Sequence, residues 1–236
     1  MKKILHPQNE RGIGEFGWLH TRYSFSFNRW YNPEKMGFGL LRVLNDDTIE
    51  AGEGFGTHPH DNMEIVTIIL EGELEHKDSM GNGSVIRKGE VQTMSAGTGI
   101  THSEFNHSSE KSCSLFQLWI FPKEENISPR YGQMSFPLIE RLGKIITVAS
   151  GDKSSNSTYI HQDAAVSIGN LTAGSNSEYK VKWTGNGVFL FVIEGLIEAA
   201  NETLHRRDAV GIYETDSVLI NAQKDSSFLI IEVPMK

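Results

Sequence analysis

The residues best suited to chemistry are two short pairs: His58 and His60 in Thr57-His58-Pro59-His60, and His102 and Glu104 in Thr101-His102-Ser103-Glu104. Each pair is spaced i, i+2, and His102 follows His60 by 42 positions. On a strand, successive side chains point to opposite faces, so both members of a pair emerge on the same face. If the two strands face each other, three imidazoles and a carboxylate converge. That donor set suits one divalent first-row metal with one or two positions left open for water, dioxygen or a chelating substrate. Iron(II) fits best; zinc, nickel, copper and manganese accept similar donors, so the ligands alone do not name the metal. A lone His-x-His reads more often as a solvated turn, and it is the second pair, also in a Gly-rich β context, that carries the metal reading.

The elements that must hold these pairs are strands. Most of the chain consists of short β-branched or aromatic runs separated by Gly, Asn, Asp and Ser. Strands are expected at 23–27, 38–44, 64–70, 73–78, 91–95 and 115–121, and again at 165–171, 188–194, 209–213, 217–220 and 227–233. In 115–121 both alternating faces are largely apolar, as in a sandwich or barrel wall. Ser79-Met80-Gly81-Asn82-Gly83 supplies a hairpin turn between 73–78 and 84–87. The stretch from Pro122 to Pro137 is polar and proline-punctuated, and a domain boundary is expected there, giving units 1–135 and 136–236. Glu71-Gly72 followed by Arg87-Lys88-Gly89-Glu90 has an echo in Glu194-Gly195 followed by His205-Arg206-Arg207-Asp208, which reads as two copies of one β unit.

Composition narrows the function classes. A chain of 236 residues, 38% hydrophobic and 22% charged, is globular, with room for one large β domain or two small ones. Its 22 basic and 30 acidic residues give a net charge of −8 without any basic block, which argues against direct nucleic-acid binding. The single cysteine, Cys113, cannot form an intramolecular disulfide and reads as an inert core thiol. His6-Pro7-Gln8-Asn9 interrupts the N-terminus before an apolar signal segment could form, and Val188–Ile193 is far shorter than the roughly 18 residues a membrane helix needs. A cytoplasmic protein without membrane contact, and a monomer, is the expectation.

The run His58-Pro59-His60, Glu64, Leu70-Glu71-Gly72-Glu73, His76-Lys77-Asp78-Ser79, Gly83, Gly89-Glu90-Val91-Gln92-Thr93-Met94-Ser95-Ala96-Gly97-Thr98-Gly99-Ile100 and His102-Ser103-Glu104 resembles the pirin family. Relative to a generic cupin motif, Ser95 stands where a proline is usual and His102 comes two residues late. The resemblance extends outward from Arg11-Gly12 and Gly17-Trp18-Leu19 to Arg42-Val43-Leu44-Asn45-Asp46-Asp47. It is dense over about the first 120 residues and closest to short bacterial pirin-like proteins described as quercetin 2,3-dioxygenases. It implies an all-β chain of two tandem cupin barrels, the first binding one metal through His58, His60, His102 and Glu104 and the second without metal. It also implies a dioxygenase acting on a flavonol or similar chelating enediol, a small aromatic substrate and dioxygen as reactants, and Glu104 as a base as well as a ligand. Mammalian pirins are described as transcription cofactors, so the alternative it implies is a metal- or redox-gated regulator with a protein partner.

Three features compete with this assignment. Glu64 is the rival carboxylate, but on a straight strand it lies about 13 Å beyond His60 at about 3.3 Å per residue, so Glu104 is preferred and Glu64 is left a supporting role. His76 reads as a solvated hairpin residue with a pocket role still open. Gly12-Ile13-Gly14-Glu15-Phe16-Gly17 matches G-x-G-x-x-G, but the following residues read as β and not as a helix, so it is not a nucleotide site. Gly52, Gly54 and Gly56 are assigned to close packing at a barrel corner.

Overall fold

The computed structural model describes residues 1–236 and is almost entirely β. The first twelve strands are β1 (Lys2–His6), β2 (Gly12–Glu15), β3 (Leu19–Tyr23), β4 (Leu41–Ile49), β5 (Gly54–His60), β6 (Glu64–Glu71), β7 (Glu73–Asp78), β8 (Gly83–Arg87), β9 (Glu90–Ser95), β10 (Ile100–Asn106), β11 (Cys113–Ile120) and β12 (Arg130–Ser135). A single helical turn, α1 (Leu138–Arg141), leads to β13 (Lys144–Ser150), β14 (Thr158–Tyr159), β15 (Ala165–Leu171), β16 (Asn176–Lys180), β17 (Asn186–Glu194), β18 (Leu196–Ala199), β19 (Glu202–His205), β20 (Ala209–Tyr213), β21 (Ser217–Ala222) and β22 (Ser226–Pro234).

Two barrels result, each built from a seven-stranded and a four-stranded sheet. The first has the orders β12-β9-β6-β11-β4-β3-β2 and β5-β10-β7-β8; the second has β1-β20-β17-β22-β15-β13-β14 and β16-β21-β18-β19. The internal echo is structural: the dipeptides Glu71-Gly72 and Glu194-Gly195 sit between β6 and β7 and between β17 and β18, with Gly72 at φ +81° and Gly195 at φ +99°. Left-handed backbone of this kind favours glycine. In the later turn of each copy a carboxylate caps the backbone. Glu90 accepts from the Arg87 N–H at 2.7 Å, and Asp208 accepts from the His205 N–H at 2.9 Å.

The largest apolar cluster lies between the barrels, not inside either one. Phe116, Leu118 and Ile120 from one face of β11 meet Phe189, Phe191, Leu229 and Ile231 of the second barrel, while the other face of β11 turns Leu115, Gln117 and Trp119 into the first. This explains the two-faced apolar character of that strand. Polar contacts cross the same seam. Asp46 accepts from Arg11 at 3.2 Å and pairs with Arg207 at 3.0 Å; Arg11 lies over the Phe191 ring and Arg207 over the Phe116 ring. β1 pairs with β20 in the second barrel's sheet, so the chain begins by bridging the two units.

Several expected segments differ from the structure. The strand expected at 23–27 ends at Tyr23, because Phe25 turns into the seam beside Phe189. The strand expected at 38–44 is instead Leu41–Ile49, running on through the polar Asn45-Asp46-Asp47-Thr48. The polar connection contains β12, paired with β9. The Gly12–Gly17 motif lies on β2 and the bend after it, with no helix.

Candidate metal centre

β5 and β10 run antiparallel, with His58 directly opposite His102 and His60 opposite Ile100. The two pairs therefore do face each other. A register shift between His102 and Glu104 sets Glu104 opposite Phe55 instead of Gly56, and such bulges re-aim side chains beside functional sites. β7 flanks β10 on its other edge, with His76 opposite Glu104 and Asp78 opposite His102.

The rings of His58, His60 and His102 pack with centroids 4.4 to 4.9 Å apart, and one nitrogen from each lies within 4.8 Å of the others. For neutral rings, the hydrogen bonds set which nitrogens are free. His58 Nδ1–H donates to the Gly56 carbonyl at 2.8 Å, which leaves Nε2 with its lone pair. Asp78 accepts from the backbone N–H groups of Met80 and Asn82 and from the Asn82 amide, so it also accepts from His76 Nε2–H at 3.2 Å. His76 Nδ1 is then an acceptor for His102 Nδ1–H, a long contact of 3.4 Å, which frees His102 Nε2. The Nε2 atoms of His60 and His102 are buried and have no hydrogen-bond partner. Buried polar atoms are seldom left unpaired. Unpaired nitrogens on converging neutral imidazoles are what a cation needs, and this donor set fits one divalent metal ion. Burial, reinforced by the neighbouring imidazoles, lowers His60 to about 4 and His102 to about 3, so both keep their lone pairs at neutral pH.

Glu104 accepts from Gln117 Nε2 at 3.0 and 3.3 Å. Its oxygen falls within 4.8 Å of His102 and His76, forming a second cluster that shares His102 with the first. Of the four ligands expected from the sequence, His58, His60 and His102 come together in one triad, while Glu104 falls in the other, with His76 and the shared His102. His76 is not the solvated hairpin residue expected: it is fully buried, stacked on Tyr131 at 4.9 Å and aimed at His102. A period-two reading of 73–78 gives the signal, since Leu74, His76 and Asp78 alternate with Glu73, Glu75 and Lys77. Glu64 is elsewhere. It sits on β6 on the same face as Val66 and Ile68, and its Oε2 accepts from Ser95 Oγ at 2.7 Å and from the His161 backbone N–H at 2.9 Å, joining the two barrels. Cys113 is buried, and burial pushes its thiol up to about 12.

A cavity of about 170 Å³ opens beside the cluster. His58, His60 and Glu104 line one side, Phe27, Phe55 and Trp119 the apolar walls, and Thr21, Asn45 and Asp47 a polar wall. Trp119 meets the His60 ring edge-on at 4.9 Å, and its indole N–H donates to Gln117 Oε1 at 3.3 Å. The same Gln117 therefore ties the aromatic wall to Glu104. A larger open groove of about 770 Å³, near Phe38, Tyr213 and Met235, has no histidine in its lining.

The pirin family pattern matches residues 6–120, and that of the quercetinase C-terminal cupin domain matches residues 147–233. Over 98% of both chains, the sequence is 42% identical to the quercetin 2,3-dioxygenase of Escherichia coli strain K12. This chain belongs to the pirin family. A pirin-like protein of Caulobacter vibrioides is 37% identical over 96% of this chain and 97% of its own. The crystal structure of the bacterial pirin YhhW from Escherichia coli in complex with nickel(II) superposes with a TM-score of 0.93 at 40% identity, covering 99% of each chain. The Lactobacillus farciminis oxalate decarboxylase, at 12% identity and a TM-score of 0.67, shares the fold alone.

The two-barrel cupin architecture follows from both the sheets and the family. In this pirin-family chain the second barrel differs physically from the first. On β16 and β21, the counterparts of β5 and β10, the buried positions are Tyr179, Val218, Ile220 and Ala222, which belong to a closed apolar cluster.

Proposed function

We propose that this protein is a metal-dependent dioxygenase of the quercetinase type, opening a flavonol or a similar chelating enediol with dioxygen. The observation that carries the reading is the pair of buried, unpartnered Nε2 atoms of His60 and His102 beside a cavity large enough to admit a small ligand. The names of the relatives and the nickel complex of YhhW support it. His58, His60, His102 and Glu104 are the ligands of this reading, and Fe(II) is the favoured ion. Unit 1–135 carries the chemistry and unit 136–236 supports its flank.

When bound, the metal supplies a Lewis acid for the chelating oxygens and, as iron, redox access to dioxygen. The remaining work belongs to the chain. Glu104, steadied by Gln117, accepts the proton that a substrate hydroxyl gives up on chelation. Trp119, Phe27 and Phe55 wall the reacting ring from water. His76 and Asp78 hold the His102 ring with Nε2 toward the cluster.

Oxygen uptake tests this. Protein reconstituted anaerobically with Fe(II) or Ni(II) is expected to consume dioxygen on addition of quercetin or of a smaller chelating enediol, and His60→Ala is expected to lose both metal and uptake. Absence of quercetin- or enediol-dependent uptake by fully loaded wild-type protein overturns the assignment.

A further inference from the structure

The polar wall of the cavity is built at a cost to stability that the protein's own structure repays only in part. Asp47, Asn45 and Thr21 are 5%, 5% and 1% exposed, yet Asp47 Oδ1, Asn45 Oδ1 and Thr21 Oγ1 make no well-formed hydrogen bond. All three line the same cavity as His58, His60 and Glu104. Thr21 stands across the ladder from Asp47, and Asn45 is the next residue along the same face of β4. The contrast with Asp46 is informative: one residue away on the opposite face, it is held by Arg11 and Arg207, whereas no Lys, Arg or His forms an ion pair with Asp47. Its carboxyl is pushed up to about 7 by burial, partly offset by the neighbouring Thr21 hydroxyl. A buried acid with no cationic partner and an unpaired Oδ1 is a liability in a fold, and such local violations concentrate where a ligand supplies the missing contact.

The chemistry of the unpaired atoms defines what they recognise. Two carbonyl-type acceptors and a hydroxyl in one row call for hydroxyl donors. A cavity of about 170 Å³ is also below the roughly 300 Å³ at which pockets for drug-sized ligands begin. We propose that Asp47 and Asn45, with Thr21 beside them, are the specificity-determining wall of the site. They select a compact substrate that presents a chelating oxygen pair to the histidine side and a further hydroxyl to Asp47. This inference rests on the metal-centred reading of the same cavity.

The test is a cycle between a ligand hydroxyl and Asp47, using nickel-loaded protein without dioxygen. Catechol offers the chelating pair alone; pyrogallol adds one adjacent hydroxyl. Wild type is expected to bind pyrogallol at least about tenfold tighter than catechol, and Asp47→Leu is expected to bring the ratio to within about twofold. Because the ratio is compared between variants, the intrinsic metal affinities of the two phenols cancel. Asp47→Asn, which keeps the shape and one acceptor, is expected to fall between the two. A second readout separates recognition from folding: metal-free Asp47→Leu is expected to melt at or above the wild-type temperature. A ratio unchanged by Asp47→Leu, with both phenols still bound only by loaded protein, overturns this inference and leaves the metal site standing. A lower melting temperature in both variants overturns it too, by making Asp47 a structural residue. If neither phenol binds loaded wild type at millimolar concentration, the metal-centred reading fails and takes the inference with it.

Discussion

Replacing His76 with Phe isolates the effect of one hydrogen bond on metal affinity. The aromatic stack on Tyr131 at 4.9 Å is retained, and Asp78 keeps its bonds from Met80 and Asn82, so the substitution orphans a single group, the Nδ1–H of His102. His102 is 1% exposed, and water cannot replace the lost partner. An orphaned buried donor costs about 1–3 kcal/mol. At about 1.4 kcal/mol per tenfold, that is a loss of about 10- to 100-fold in metal affinity, the range seen when a ligating histidine loses its outer partner. Competition against a chromogenic chelator measures the affinity, and ring-nitrogen NMR of the zinc form reports which nitrogen of His102 carries the proton. His76→Asn, whose amide oxygen replaces the acceptor, is expected to recover most of the loss. Affinity within about twofold of wild type in the Phe variant, with His102 Nδ1 still protonated and Nε2 still ligating, refutes this role for His76.

Asp46→Ala leaves the guanidinium groups of Arg11 and Arg207 without their counter-ion at the seam, and about 3–5 kcal/mol of stability is expected to be lost in urea denaturation; a loss under about 1 kcal/mol contradicts a coupled seam. The carboxyl of Asp47 gives a pH signature in the metal-free protein. Its folded pKa of about 7 lies above the ordinary value of about 3.9, so the folded state holds the proton longer and stability falls as pH rises from about 4 to about 7, then levels. Between pH 5 and the folded pKa lie about two pH units, on the order of 3 kcal/mol, and the stability difference between wild type and Asp47→Leu in denaturation is expected to change by that amount from pH 5 to pH 8; parallel pH profiles contradict it.

The metal pairs were legible because i, i+2 spacing on a strand dictates a shared face, and their facing needed only that β5 and β10 be neighbours. The two-faced apolar β11 announced a wall with a core on each side. Asn45-Asp46-Asp47-Thr48 was harder, because a polar run looks like the end of a strand. Here it is mid-strand, one face serving the ion pairs of the seam and the other the cavity. The charged flanks of His76 concealed a buried position in the same way. The pairing of β1 with β20 joins residues about 207 positions apart, and no local pattern encodes it.

The central claim is that His58, His60 and His102 grip one divalent ion through Nε2 together with an oxygen of Glu104. An anomalous difference map at the nickel edge, from crystals of metal-loaded protein, tests it directly. A single peak about 2.0–2.2 Å from those four atoms is the predicted result. A peak held instead by His76, His102 and Glu104, or none near the histidine cluster at full loading, contradicts it.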